Sequence, residues 1–203
     1  MKIQGPNKII IAKKKKKKGL ICWLDMDGVI SFFEKSAAKT IGIDLEDNDI
    51  REKIKTGTRI SSFIDGGESA MWSKIDAEGI KWWRDMELLP WGMELYKKLK
   101  EKGDYFSFLT SPGNNSLCSA GKVEFLQKHF GDDFQEFLIG KHKEYCASSS
   151  AILVDDSESK IKKFRAFGGH AFKWPSPLSL IDNDVNVDET IDELIEYIEN
   201  LKK

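Results

Sequence analysis

The sequence predicts an α/β fold built on a doubly wound parallel sheet. From Tyr105 onward, apolar strand-like runs alternate with amphipathic stretches: strand 105–109, helix 119–130, strands 136–139 and 151–155, helix 158–167 and strand 170–173. That alternation argues for parallel strands with helices on both faces. In addition, three apolar runs stop abruptly at polar pairs. Residues 19–24 lead into Asp25-Met26-Asp27, 105–109 into Thr110-Ser111, and 151–154 into Asp155-Asp156. Open α/β sheets bind ligands just outside the carboxyl ends of their strands, so these pairs mark one candidate site.

The elements follow in chain order. Side chains alternate along a strand, so Asp25 and Asp27 leave the first strand on one side while Met26 turns back to the core. Gly28 then allows a sharp turn. Residues 31–42 and 45–55 read as helices, and 56–67, rich in Gly, Thr and Ser, as a loop. Residues 68–74 and 76–86 read as two further helices, with Asp76 as N-cap of the second and Gly79 as a weak point inside it. Pro90 restarts the chain, and 91–102 forms an amphipathic helix ended by Gly103. The last helix, 188–203, sets Ile191, Leu194, Ile195, Ile198 and Leu201 on one face.

Two carboxylates as close as Asp25 and Asp27 repel unless a cation lies between them, and Mg²⁺ is the hard, oxygen-seeking ion such a pair suits. The ordered set Asp25-Met26-Asp27-Gly28-Val29, Leu109-Thr110-Ser111-Pro112, a following lysine, and Leu153-Val154-Asp155-Asp156 resembles the haloacid dehalogenase-like phosphohydrolases. Lys143 fits the lysine position, with Lys141 as the alternative. With the stretch from Leu126 through Phe134 and Phe137-Leu138-Ile139, the chain is similar, over roughly residues 20 to 175, to the 5′(3′)-deoxyribonucleotidase branch.

The resemblance implies a Rossmann-like core with a small helical cap inserted after the first motif strand. The expected division is a basic arm over 1–19, a core of 20–31 and 90–203, and a cap over 32–89. It implies a Mg²⁺-dependent phosphomonoesterase acting on (deoxy)ribonucleoside monophosphates. Asp25 would be the nucleophile that forms an aspartyl-phosphate, and Asp27 the general acid and then base. Mg²⁺ would bind the Asp25 carboxylate, the Asp27 carbonyl and one of Asp155 or Asp156, Asp155 being favoured. Thr110, Ser111 and Lys143 would hold phosphate. Lys122 aligns with a lysine of the nucleotidase pattern, a solvated helix position being the equal alternative. Phe33, Trp82 and Trp83 would stack on the base, unless the tryptophans are the cap's own core.

Composition restricts the rest. The 203 residues carry a net charge of −1 and 40% hydrophobic residues, ordinary for a globular domain. No apolar run approaches the ~20 residues of a membrane span. Cys22, Cys118 and Cys146 are widely spaced with no CxxC pair, arguing for a reducing, cytoplasmic setting and against zinc. The first 19 residues hold eight lysines and no acid, six of them in Lys13–Lys18. That run is expected to be a solvated arm, with Ile9–Ala12 as an edge strand; it is also the feature by which nucleic acid would be gripped. Two rival functions follow from it: a phosphatase for polynucleotide ends, and a nucleic-acid-binding protein on an inactive phosphatase fold. The intact aspartates argue against the second. The expected partner is a small phosphate ester, the expected assembly a monomer or homodimer.

Overall fold

The computed structural model describes residues 19–113 and 115–203. The lysine run Lys13–Lys18 and the edge strand at 9–12 lie outside the described residues. Five strands form one all-parallel sheet: β1 (Ile21–Leu24), β2 (Tyr105–Thr110), β3 (Phe137–Ile139), β4 (Ala151–Asp155) and β5 (His170–Lys173), in the order β3-β2-β1-β4-β5. The chain steps outward from β1 to β2 and β3, then crosses to β4 on the other side. The crevice between β1 and β4 is therefore the switch point of the sheet, where such folds place ligands.

Period-two alternation divides the core between the two faces. Cys22, Leu24, Ile152 and Val154 join one apolar cluster with Leu95 and Leu99 of α5 (Gly92–Lys102) and with Ile191, Leu194 and Ile198 of α9 (Val187–Leu201). Leu153, Ala171 and Leu109 meet Ile161 and Phe164 of α7 (Glu158–Ala166) in the other. β4 is buried at all five positions, as a central parallel strand with both faces covered should be.

Between β1 and α5 lie α1 (Phe33–Ile41), α2 (Asn48–Lys55), a 3₁₀ turn (Ile60–Phe63), α3 (Gly67–Glu78) and α4 (Ile80–Arg84). Here the sequence reading needs correction. The helices expected over 68–74 and 76–86 are divided differently. α3 runs straight through Asp76, which caps nothing; the break falls at Gly79, whose φ of +71° and ψ of −150° end the helix. α4 is short and packs on α6 (Ser116–Phe130). That helix begins three residues earlier than expected because the Asn115 side chain accepts the Leu117 N–H at 2.9 Å, an N-cap. α8 (Pro177–Ile181) was not anticipated. Among the described residues no helix is long and apolar enough to cross a membrane.

Candidate active site

β1 delivers Asp25 to the carboxyl edge of the sheet, where its N–H is tied to the Val154 carbonyl of β4 at 2.9 Å. The side chain is 2% exposed. Its Oδ1 accepts from the Met26 N–H at 2.8 Å and pairs with Lys143 Nζ at 2.6 Å, while Oδ2 faces Lys160 Nζ at 3.5 Å. Burial works to raise this carboxyl, but Lys143, Lys160 and Lys122 outweigh it and hold it below the usual carboxylate range. Asp25 is thus a charged carboxylate at neutral pH. Asp27 is more open: Oδ2 accepts from Lys122 Nζ at 2.6 Å and Oδ1 from Ser31 Oγ at 3.2 Å. Gly28, at φ +74°, is required twice over, since a Cβ there would collide with the Asp156 carboxylate.

Of the two lysines considered for one position, Lys143 is 1% exposed and joins Asp155 Oδ2 at 2.6 Å as well as Asp25; Lys141 lies exposed. Lys143 is buried and ties Asp25 to Asp155. The cations that do line the cavity are Lys122 and Lys160. Lys122 is no solvated helix residue. It is 1% exposed, gives its ammonium to Asp27, to Thr110 Oγ1 at 2.9 Å and to the Ser111 carbonyl at 2.8 Å, and lies 5.2 Å from the Trp83 ring centroid. Thr110 is fully buried and serves as that acceptor, while Ser111 lines the cavity with a buried Oγ that has no partner among the described residues.

Asp25, Asp155 and Asp156 bring carboxylate oxygens within 4.8 Å of one another. Burial, then the charge of Asp25, pushes Asp155 up to about 6 against the pull of Lys143. Burial and the charges of Asp25 and Asp155 push Asp156 well above its ordinary value. Three hard oxygen donors whose mutual repulsion a cation would relieve fit a divalent ion such as Mg²⁺. Both oxygens of Asp155 already have donors, Lys143 and the Ser157 N–H at 2.8 Å, and the residue is fully buried. Asp156, the less favoured of the pair from sequence, is the one that reaches the cavity wall.

The cavity encloses about 370 Å³. Its lining combines Asp25, Asp27, Ser111, Lys122 and Lys160 with the rings of Phe33, Trp72 and Trp83 and with Glu34 and Glu68. Trp72 and Trp83 lie nearly parallel, 14° apart with centroids at 6.2 Å, and Phe33 stands 5.9 and 6.2 Å from them. Trp82 is not in this wall. It is 6% exposed, edge-on to Trp83 at 4.6 Å, and its N–H is given to Thr40 Oγ1 at 2.8 Å, so it pins α4 to α1 as a core residue. Glu34 and Lys160 escaped the sequence reading, and Trp72 enters it only among the tryptophans taken as the cap's own core. For Lys160 a signal existed: it stands in the first turn of α7, the helix that directly follows the Asp155-Asp156 strand end.

The profile of a family described as "5′ nucleotidase, deoxy (Pyrimidine), cytosolic type C protein" matches residues 19–189. No curated protein sequence matches the chain. Among solved structures, the magnesium-bound HAD-hydrolase YfnB of Bacillus subtilis is similar at a TM-score of 0.54 and 15% identity, over 90% of this chain and 99% of that one. A HAD family hydrolase of Deinococcus radiodurans, with bound phosphate and sodium, is similar at 0.50 and 13% identity, over 77% and 83%. At these identities the likeness is one of fold.

Proposed function

Since the chain belongs to the family of the 5′ nucleotidase, deoxy (pyrimidine), cytosolic type C protein and is a phosphatase of the haloacid dehalogenase-like kind, we propose that it is a Mg²⁺-dependent cytoplasmic enzyme releasing phosphate from (deoxy)ribonucleoside monophosphates. One observation carries this reading: a single cavity is lined both by a charged aspartate held between cations and by three aromatic rings. The first suits a phosphoryl group, the second a base. Residues 32–89 are then a cap that supplies the rings, over a core of 20–31 and 90–203.

Asp25 attacks phosphorus through Oδ2, the oxygen on the Lys160 side, while Lys143 on Oδ1 fixes the carboxylate. Lys122 and Lys160 offset charge on the phosphoryl oxygens, and the unpartnered Ser111 hydroxyl donates to one of them. Asp27, steered by Lys122 and Ser31, protonates the leaving hydroxyl and then draws the proton from the water that clears the aspartyl-phosphate. Asp25 and Asp156, backed by Asp155, and the Asp27 carbonyl would hold Mg²⁺, which supplies charge masking for the phosphate. The rings of Phe33, Trp72 and Trp83 position the base. A phosphate-release screen across nucleoside monophosphates and ring-free phosphate esters, with Mg²⁺ or with chelator, checks the reading. Nucleotides are expected to lead, and Mg²⁺ to be required; equal turnover of ring-free esters would remove the nucleotide from the proposal.

A further inference from the structure

The catalytic cavity does not end at its aromatic wall. A second cavity of about 650 Å³ continues from it and shares Phe33, Trp72, Asp156, Ser157 and Lys160. Small-ligand sites span roughly 300–1,000 Å³, so the first cavity already suffices for one phosphate and its base. The additional space has a different lining. Arg59 and Ser61, from the segment after α2, line it together with Lys173, the last residue of β5, and Ser176 beyond it. Lys173 is in register with Asp155, so it emerges at the same sheet edge as the catalytic carboxylates.

The charges in this space do not cancel. Lys55 also lines it, but its ammonium is taken by Asp182 and Asp184, at 2.6 Å each, and by Glu52. Glu68 is answered by Arg59 at 3.3 Å, on a side chain that is 78% exposed and free to turn. Glu34 is pushed up to about 7 by burial, then by Asp27, and carries only part of a charge at neutral pH. Asp156 belongs to the catalytic cluster. The hydrogen bond of Lys173 goes to a neutral group, the Trp174 carbonyl at 3.0 Å. Lys173, with the hydroxyls of Ser61 and Ser176, remains to meet an anion, while Lys160, held by Asp25 at 3.5 Å, stands where the two cavities join. Lysine ammoniums and hydroxyls are common phosphate donors.

We propose that this second cavity binds a second phosphate group of the substrate, so that the preferred phosphomonoester carries another phosphate at its far side. That chemistry belongs both to a nucleoside 3′,5′-bisphosphate and to the 5′ end of a strand. The inference rests on the phosphatase reading above and deepens it by naming the substrate class.

The experiment compares kcat/KM on matched pairs: a nucleoside 5′-monophosphate with its 3′,5′-bisphosphate and with a 5′-phosphorylated dinucleotide, and a sugar monophosphate with its bisphosphate. The second phosphate is expected to raise kcat/KM about tenfold, the scale of one charge-assisted hydrogen bond, with the advantage shrinking as salt rises. In Lys173→Ala/Ser176→Ala the advantage should vanish while monophosphate turnover and melting temperature stay unchanged. An advantage confined to the bisphosphate identifies a free small molecule, and one shared by the dinucleotide a strand end. Equal rates within every pair, or an advantage that survives the double substitution, overturn the proposal. Calorimetric titration of Asp25→Asn protein with the same pairs reads the preference without turnover. Tighter bisphosphate binding by a protein inactive on every nucleotide would sink the nucleotide reading and keep the second subsite. Equal affinity would sink the subsite alone.

Discussion

At the scale of single residues, the reading divides neighbours that look alike in sequence. Asp25→Asn should abolish phosphate release, by several orders of magnitude in kcat, with the fold intact, because the substitution removes the attacking charge and little volume. Turnover near that of the native protein would discard the aspartyl-phosphate. Asp27→Asn should depend on the leaving group: activity on para-nitrophenyl phosphate, which needs little protonation, is expected to be partly spared while nucleotide hydrolysis is lost. Equal loss on both would assign Asp27 to the metal or the fold. The tryptophans divide as well. Trp83→Leu should raise KM for nucleotides about tenfold, from ~1–3 kcal/mol of lost stacking, and leave ring-free esters alone. Trp82→Phe should lower stability by about 1–2 kcal/mol, through the lost bond to Thr40, with KM unmoved. The aspartates were legible because each ends an apolar strand. Trp82 was not separable from Trp83, since neighbours on a helix point ~100° apart and only the location of α6 and α1 decides which side is the cavity.

At the scale of elements, strands ending in polar pairs were readable, and helix boundaries were less so. Gly79 was read as a weak point because propensity scales charge glycine only ~1 kcal/mol in a helix; its actual φ ends one helix and starts another. The consequence reaches the site through α4 and α6. A Cβ at Gly121 would lie 2.5 Å from the Trp83 Cβ and 2.6 Å from the Ile80 carbonyl, so the glycine lets the two helices touch. Lys122, the next residue, thereby comes under the Trp83 ring and reaches Asp27 from 95 positions away. No local pattern announces such a contact, which is why Lys122 could be read as a solvated lysine. Gly121→Ala should therefore cost about 1–3 kcal/mol of overpacking. It should also reduce kcat on every substrate, since Trp83 and Lys122 move together. Denaturant melts with kinetics on a nucleotide and a ring-free ester would check it; a stable variant with native kinetics would show that the contact relaxes freely.

At the scale of the whole molecule, the fold concentrates charge where the sheet changes direction. β1 and β4 are adjacent although 130 residues of sequence separate Ile21 from Ala151, and their ends place three carboxylates within 4.8 Å. The metal-free protein carries that repulsion as a pH dependence whose sign can be worked out. Asp155 is raised to about 6 and Glu34 to about 7, and Asp156 is raised as well, so between pH 5 and 7 the folded chain holds protons that the unfolded chain has lost. These three groups then make stability fall as pH rises through this window. Their combined contribution is set against that of His129, which burial and Lys128 hold below its ordinary value and which acts in the opposite sense. Asp25 acts in the opposite sense, being held below its ordinary value, but its contribution is lost only as pH falls below the ordinary carboxylate range, outside the window. Lys160, raised by the same carboxylates, stays charged throughout. In chelator the melting temperature is therefore expected to drop from pH 5 to pH 7. Mg²⁺ should flatten that slope and release protons on binding, because it takes the deprotonated carboxylates. Differential scanning calorimetry at pH 5, 6 and 7, with chelator or Mg²⁺, measures both. A melting temperature that rises or stays level in chelator would mean that the three carboxylates are not coupled as the geometry requires, and that Asp156 does not belong to the cluster.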